Sequence, residues 1–190
     1  MNEYLILRGL IEVLRQGQSL LEALDDATYA TYLKGAFNAS IGGHYRHCLD
    51  HFQSLLDALD GDEVNYDNRK RDPRIENDRE FALIETRRVF RGCDSIPPEW
   101  LRRTMMVRCK VSYLAEESPT IPSTLGREIM YAVAHAVHHY ALIGVMCGKL
   151  RIPLPRDFGV APSTVKHREE ASSRRPHSIN GMESLALLVS

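Results

Sequence analysis

The sequence has few of the features that mark secreted, membrane or disulfide-linked proteins. Its four cysteines are scattered over 190 residues and form no C-x-x-C pair. No uninterrupted apolar run reaches the roughly 18 residues of a membrane span. The first residues lack the basic start and the cleavage site of a signal peptide. We therefore expect a cytoplasmic protein with reduced thiols and no membrane association.

An excess of charge of one sign is also missing. The formal net charge is −1, from 24 Lys and Arg against 25 Asp and Glu. This balance argues against broad electrostatic binding to nucleic acid. Lysine is scarce, with five residues against 19 arginines, and arginine suits bidentate pairing with carboxylates. The hydrophobic fraction of 44% is enough for a substantial core.

Hydrophobic spacing predicts an all-α protein built on four helices, which cover residues 3–24, 40–61, 78–93 and 123–148. Ser40 and Ser123 are the expected N-caps of the second and fourth helices. Before the last helix, the alternation of Val107, Cys109 and Val111 indicates a short strand or hairpin. Residues 1–165 form the predicted domain, and residues 166–190 a polar, disordered tail.

Residues 61–77 are highly charged and predict a long exposed connection between the second and third helices. Its NRKRDPR run is most simply a solvated loop. Arg69 or Arg71 within it is a weaker candidate for binding an anionic substrate.

Histidine is concentrated in two short windows. Six of the eight histidines fall there: His44, His47 and His51 in the second predicted helix, and His135, His138 and His139 in the fourth. The H-x-x-x-H pair, His135 and His139, lies one turn apart on one helical face and can share a divalent ion. Two imidazoles do not complete a site. The other window therefore predicts a facing helix that supplies the third ligand.

Other histidine-containing metal sites do not match the sequence. The metalloprotease motif H-E-x-x-H requires Glu at position 136, which is Ala. Di-iron bundles require Glu at position 132, which is also Ala. Three imidazoles with an open position activate water or a thiol. Imidazole suits Zn²⁺ best, with Ni²⁺ or Fe²⁺ as alternatives.

Three stretches together suggest a family. They are GHYRHCLDHF at residues 43–52, YDNRKRD at residues 66–72 and FGVAPST at residues 158–164. With the fourth-helix stretch STLGREIMYAVAHAVHHYALIG, they resemble the DinB-like superfamily of four-helix metalloproteins. In place of the HRGQ that is common in the fourth helix of that superfamily, this chain reads HYAL from His139.

The resemblance implies an up-down-down-up four-helix bundle with a divalent metal on three histidines. His135 and His139 match the two fourth-helix ligands, and His47 matches the second-helix ligand. His44, His51 and His138 are rivals or donors to the ligands. Relatives in the superfamily include S-transferases that use a low-molecular-weight thiol, which implies such a thiol as a partner here.

Several functions remain open at this point. The first is a metal-dependent enzyme, a thiol S-transferase or a hydrolase, with Glu128 or Tyr131 steering the substrate and no catalytic residue assigned. The second is a non-catalytic, metal-stabilised stress or interaction protein, with a homodimer through an exposed helix face. The third is a helical bundle without metal, whose histidines are satisfied by hydrogen bonds.

Overall fold

The computed structural model describes residues 2–173. This part of the chain is mostly helical and carries a small three-stranded sheet. The elements in chain order are α1 (Asn2–Ala23), α2 (Asp26–Ala30), α3 (Ile41–Asp57), β1 (Glu63–Asn65), α4 (Pro73–Asn77), α5 (Arg79–Asp94), β2 (Thr104–Arg108), β3 (Thr120–Thr124), α6 (Leu125–Lys149) and α7 (Pro162–Ser173). The four long helices of the first 150 residues match the four predicted helices to within a few residues.

Side-chain caps set the starts of the two histidine-bearing helices. Ser40 accepts a hydrogen bond from the amide of Gly43 at 2.9 Å and caps α3, as the sequence predicts. Thr124, and not Ser123, caps α6 by accepting from the amide of Arg127 at 3.3 Å. Ser123 is the penultimate residue of β3, and its hydroxyl serves another contact described below.

The helices share one core. α3 packs against α6 and α5, and α1 packs against α5 and α6. Among the largest side chains with almost no exposure are tyrosine, phenylalanine and leucine residues of α1, α2, α3 and α6: Tyr29, Tyr45, Tyr140, Phe52, Leu10, Leu14, Leu21 and Leu49. Burial on this scale, at about 25 cal/mol per Å² of apolar surface, is the main force that holds α3 against α6.

The sheet explains the predicted strand before the last helix. β2 lies antiparallel to β3, with Thr104 opposite Thr124, and parallel to β1, with Glu63 opposite Met106.

Of the three residues whose alternation predicted a strand, Val107 lies in β2, whereas Cys109 and Val111 follow its end. The buried, alternating residues of β2 are Met105 and Val107. The antiparallel partner of β2 is the segment immediately before α6, and the parallel third strand was not expected from the sequence.

The charged connection at residues 61–77 is less exposed than the sequence suggests. Val64, Tyr66 and Ile75 are each at most 1% exposed. Val64 and Tyr66 alternate with polar residues around β1, and Ile75 anchors α4, which packs on α3. The predicted exposed connection is therefore only partly exposed, because three apolar side chains spaced along the segment dock it onto the core.

The chain divides into two compact units, with the boundary between residues 160 and 161. Of the second unit, the structure describes residues 161–173, where α7 has no buried residue. The predicted polar tail thus begins within a helix that carries no apolar face. Residues 174–190, on which the prediction of disorder mainly rests, lie outside the described residues.

Among the described residues, α6 is the helix long and apolar enough, by length and composition, to cross a membrane. This is weak support for a span, because core helices of soluble proteins meet the same criterion. α6 packs against both α3 and α1. The absence of membrane association and the cytoplasmic location stay predictions.

The close approach of α3 to α4 gives a test of this packing. A Cβ added at Gly42 would lie 2.0 Å from the backbone oxygen of Glu76. The oxygen belongs to the backbone, and the position of a Cβ is fixed by its own backbone, so neither can move away by side-chain rotation and one helix must shift. We expect Gly42→Ala to lower the free energy of unfolding by about 1–3 kcal/mol, measured by urea denaturation.

Gly9→Ala is the matched control, because nothing lies within 4 Å of a Cβ added in that helix interior. It should raise the free energy of unfolding by about 0.5–1 kcal/mol. Equal effects of the two substitutions would contradict the close packing of α3 and α4.

Candidate metal centre

Three imidazoles from α3 and α6 meet between the two helices. Nε2 of His47 lies 2.9 Å from Nε2 of His135. His47, His135 and His139 each offer a ring nitrogen within 4.8 Å of the other two, and all three side chains are partly buried. The structure therefore brings together the three residues that the sequence selects as ligands.

These imidazoles are held in the neutral form. Burial, with help from His135 and Arg69, lowers the pKa of His47 to about 4. Burial and the neighbouring histidines lower the pKa of His139 to about 3. Burial also lowers the pKa of His135. A neutral imidazole keeps a lone pair for a metal ion, so no proton has to be displaced at pH 7.

His44 contacts the cluster from one turn earlier on α3. Its Nδ1 lies 3.0 Å from Nδ1 of His139, which leaves Nε2 of His139 as the free ring nitrogen. Such a contact fixes the orientation of a ligating imidazole. The geometry places His44 as a partner of a candidate ligand, and the candidate second-helix ligand remains His47.

The donor set fits a divalent metal ion. Four-coordinate zinc has Zn–N distances of about 2.0–2.1 Å, which puts ligand nitrogens roughly 3.3 Å apart. The nitrogens of His47 and His135 are within a few tenths of an ångström of that spacing. Three imidazoles without a carboxylate suit zinc, nickel or iron and leave a coordination position open.

His51 is the most unusual side chain near the cluster. It is 3% exposed, and neither ring nitrogen has a hydrogen-bond partner among the described residues. Its ring centroid lies 4.2 Å from that of His135 and 5.0 Å from that of His47. Burial lowers its pKa to about 2. His51 therefore lies beside the three-histidine group without belonging to it.

The two residues proposed to steer a substrate differ in their freedom to do so. Glu128 is 7% exposed, and its carboxylate accepts hydrogen bonds from the Tyr66 hydroxyl at 3.0 Å and the Ser123 hydroxyl at 2.6 Å. Glu128 is thus held in place by two donors. Tyr131 is half-buried and stacks on His135 with 5.8 Å between ring centroids.

Sequence reasoning missed Tyr66, whose ring also contacts His51 at 5.0 Å between centroids. The sequence feature that could have revealed Tyr66 is the alternation of Val64 and Tyr66 with polar residues inside a charged segment. Burial, followed by the charge of Glu128, raises the pKa of Tyr66 well above its usual value. Tyr66 is therefore a neutral hydrogen-bond donor.

Arg69 brings positive charge to the same region. Its Nη1 donates to the backbone oxygen of Tyr66, and its Nε is buried without a partner among the described residues. The Arg71 side chain instead donates to the backbone oxygen of Asp67 at 3.0 Å and is exposed. Of the two arginines that the sequence names, Arg69 is the one near the histidines.

Two further residues that the sequence singled out, Cys48 and His138, lie outside the three-histidine group. Cys48 is 2% exposed, and burial raises the pKa of its thiol, as expected of a small core residue. His138 is exposed and touches the cluster only through the edge of the His139 ring, at 5.3 Å between centroids.

The lowered pKa values predict acid sensitivity of the protein stripped of metal. The unfolded chain takes up protons on its histidines near pH 6.5, but the folded protein takes them up only near pH 4 or below at His47, His51 and His139. The contribution of these neutral histidines to the free energy of unfolding is therefore fully present above pH 6.5 and is lost as the pH falls toward 4. Urea denaturation of chelator-treated protein from pH 7.5 to 4.5 measures this.

His51→Leu should reduce the dependence on pH by up to one proton, about 1.4 kcal/mol per pH unit. His167→Gln is the control, because His167 is exposed on α7. A free energy of unfolding that does not change between pH 6.5 and 4.5 would refute the neutral cluster.

Comparison with known proteins does not show a family. No family model matches the chain, and no solved structure matches it. The chain is 32% identical over 104 residues to a protein from Rhizopus delemar named FK506-binding protein 5. The match covers 55% of this chain and 27% of that protein. The chain thus spans about a quarter of the length of this curated relative, and the DinB-like assignment stays a prediction.

Proposed function

We propose that the chain is a DinB-like, divalent-metal-binding protein that uses His47, His135 and His139 in a thiol-dependent S-transfer or a hydrolysis. The observation that carries this proposal is the meeting of the three imidazoles, with ring nitrogens within 4.8 Å of one another. They are the residues that match the ligand positions of the superfamily.

The proposal includes an up-down-down-up four-helix bundle formed by α1, α3, α5 and α6. Its support is the pattern of contacts. α1 touches α5 and α6, and α3 touches the same two helices. These four contacts close a ring of four helices with α1 and α3 on one diagonal, which supports a bundle.

The chemistry divides between the ion and the protein. A bound divalent ion supplies the charge that lowers the pKa of a thiol or a water molecule. The three imidazoles provide neutral ligands, and His44 holds the ring of His139 through its Nδ1 contact. Tyr131 covers one side of His135. Because the three imidazoles are partly buried, charges beside them are screened less than in water.

The non-catalytic alternative has one observation in its favour. The Glu128 carboxylate is 7% exposed and is held by two hydrogen bonds, so it has little access to a substrate. A metal-stabilised protein with no turnover is therefore the second candidate. The cytoplasmic location belongs to both candidates. The small thiol partner belongs to the enzyme, and the homodimer to the non-catalytic protein.

Metal binding is tested first, on protein purified without a histidine tag. We expect one Zn²⁺, Ni²⁺ or Fe²⁺ per chain by elemental analysis. Alanine at His47, His135 or His139 should each lower zinc affinity at least 100-fold, because two imidazoles remain. Added zinc should raise the melting temperature of the wild type alone, by linkage of binding to folding.

His138→Ala is the matched control. It removes an exposed imidazole next to His139 and should leave the metal content unchanged. Wild-type protein that binds no metal would support the third reading, a bundle whose histidines pair with one another.

Turnover separates the two metal-dependent candidates. The metal-loaded protein should accelerate the reaction of a small thiol with an electrophile such as a haloarene, or the hydrolysis of an activated ester. The activity should fall to background in His135→Ala and remain in His138→Ala. Full metal occupancy without turnover of any thiol or ester would favour the non-catalytic protein.

A further inference from the structure

We propose that Arg69 and His51 form a subsite for the carboxylate group of a small anionic substrate, beside the three-histidine cluster. This inference rests on the proposed function and names the chemical class of its substrate. It comes from donor groups that the described part of the protein leaves without partners.

The first observation is the buried polarity of His51. A neutral imidazole has one donor and one acceptor nitrogen, and both nitrogens of His51 are unpartnered in a side chain that is 97% buried, since 3% remains exposed. A buried polar group without a partner costs about 1–3 kcal/mol. Residues that keep such a group commonly use it for a ligand.

The second observation is the free donor capacity of Arg69. Nη1 is bound to the Tyr66 carbonyl, but Nε has no partner. No carboxylate among the described residues lies within 4 Å of its guanidinium. The carboxylate of Asp50, which is the most strongly attractive charge acting on it, pairs with Arg46 at 2.7 Å through Oδ2, and its Oδ1 is buried without a hydrogen-bond partner among the described residues.

The loop around Arg69 is built to hold it in this position. The Asn65 side chain accepts hydrogen bonds from the amides of Asp67 and Asn68, at 3.0 and 3.1 Å. Asp67 in turn accepts from the amide of Lys110 at 2.9 Å, which ties the loop to the end of β2. The guanidinium is therefore positioned in advance and is not a freely moving surface charge.

Arg69 and His51 lie in the same region. Both contact Tyr66: Nη1 of Arg69 donates to the Tyr66 carbonyl, and the ring centroids of His51 and Tyr66 lie 5.0 Å apart. Arg69 also lines a cavity of about 500 Å³ together with Asp50 and Lys70, and small molecules can reach the arginine from there. No histidine of the described residues lines this cavity, so His51 lies behind Arg69 and not on the cavity wall. Burial and Arg71 lower its own pKa, but an arginine stays charged at pH 7.

These groups select a carboxylate. A guanidinium donates in the plane to two oxygens, and a neutral imidazole adds one further N–H donor. Three neutral ligands do not balance a divalent charge, so the region as a whole attracts an anion. One arginine and one imidazole match a singly charged, planar group better than a phosphate, which usually takes more charges.

The test measures binding to zinc-loaded protein by titration calorimetry. Mercaptoacetate and 2-mercaptoethanol are the probes, because both carry a thiol and only the first carries a carboxylate. We expect the wild type to prefer mercaptoacetate at least ten-fold. Arg69→Met should remove the preference, whereas Lys70→Met, which removes an adjacent exposed charge, should keep it.

For His51, the measurement must distinguish binding of the carboxylate from a role in packing alone. His51→Leu should reduce the preference several-fold at unchanged zinc content, and His51→Gln, which keeps a donor and an acceptor, should restore part of it. Loss of zinc from both variants would make His51 a metal ligand and overturn the proposal. The proposal would also be overturned if the wild type did not prefer mercaptoacetate over 2-mercaptoethanol, or if Arg69→Met kept the wild-type preference.

Succinate, compared with succinamide, separates the two sources of the carboxylate. If succinate binds in the presence of saturating 2-mercaptoethanol, the carboxylate belongs to the acceptor substrate. If succinate and 2-mercaptoethanol compete, the carboxylate belongs to the thiol. If the wild type holds no zinc, the proposed function fails. The subsite is then judged on metal-free protein by the preference for succinate over succinamide, and no preference refutes it.

Discussion

The packing of α3 against α6 is the constraint on which the rest of the molecule depends. Each helix carries its histidines at three- and four-residue spacing, so a single contact face on each helix presents several imidazoles at once. The buried side chains between the helices fix their separation. Only because the core holds that distance do the Nε2 atoms of His47 and His135 lie 2.9 Å apart.

Burial decides the electrostatic character of this face. In water an imidazole is partly protonated near neutral pH, and five of them close together would repel one another. Here desolvation is the largest cause of the lowered pKa at His44, His47, His51, His135 and His139. The cluster is therefore a set of neutral donors, with Arg69 as a positive charge beside it.

Much of this arrangement could be predicted from the sequence because it depends on local periodicity. Apolar spacing located the four long helices, and the His135–His139 repeat placed both rings on one face. The choice of His47 came from the resemblance, and periodicity alone left His44 and His51 open. In the structure His44 contacts His139 and His51 contacts His135. These contacts depend on how α3 and α6 are rotated against each other, which the periodicity of a single helix does not determine.

The sheet could not be predicted in the same way. β1 is three residues long and pairs in parallel with β2, more than forty positions later in the chain. Periodicity carries no signal for a strand so short, and the surrounding charge hides Val64 and Tyr66. Pairing across such a separation depends on tertiary contacts, which also explains why the buried side of this segment was missed.

This sheet, of which the sequence indicated only the part before α6, gives the charged segment its place in the structure. β1 leads into Tyr66, whose hydroxyl holds Glu128 on α6 and whose carbonyl holds Arg69. β3 delivers Ser123 to the other oxygen of the same carboxylate. One small sheet therefore positions groups from three distant segments around the first turns of α6. The helices alone bring together the imidazoles, and the sheet adds the arginine and the hydrogen-bonded tyrosine that make their surroundings asymmetric.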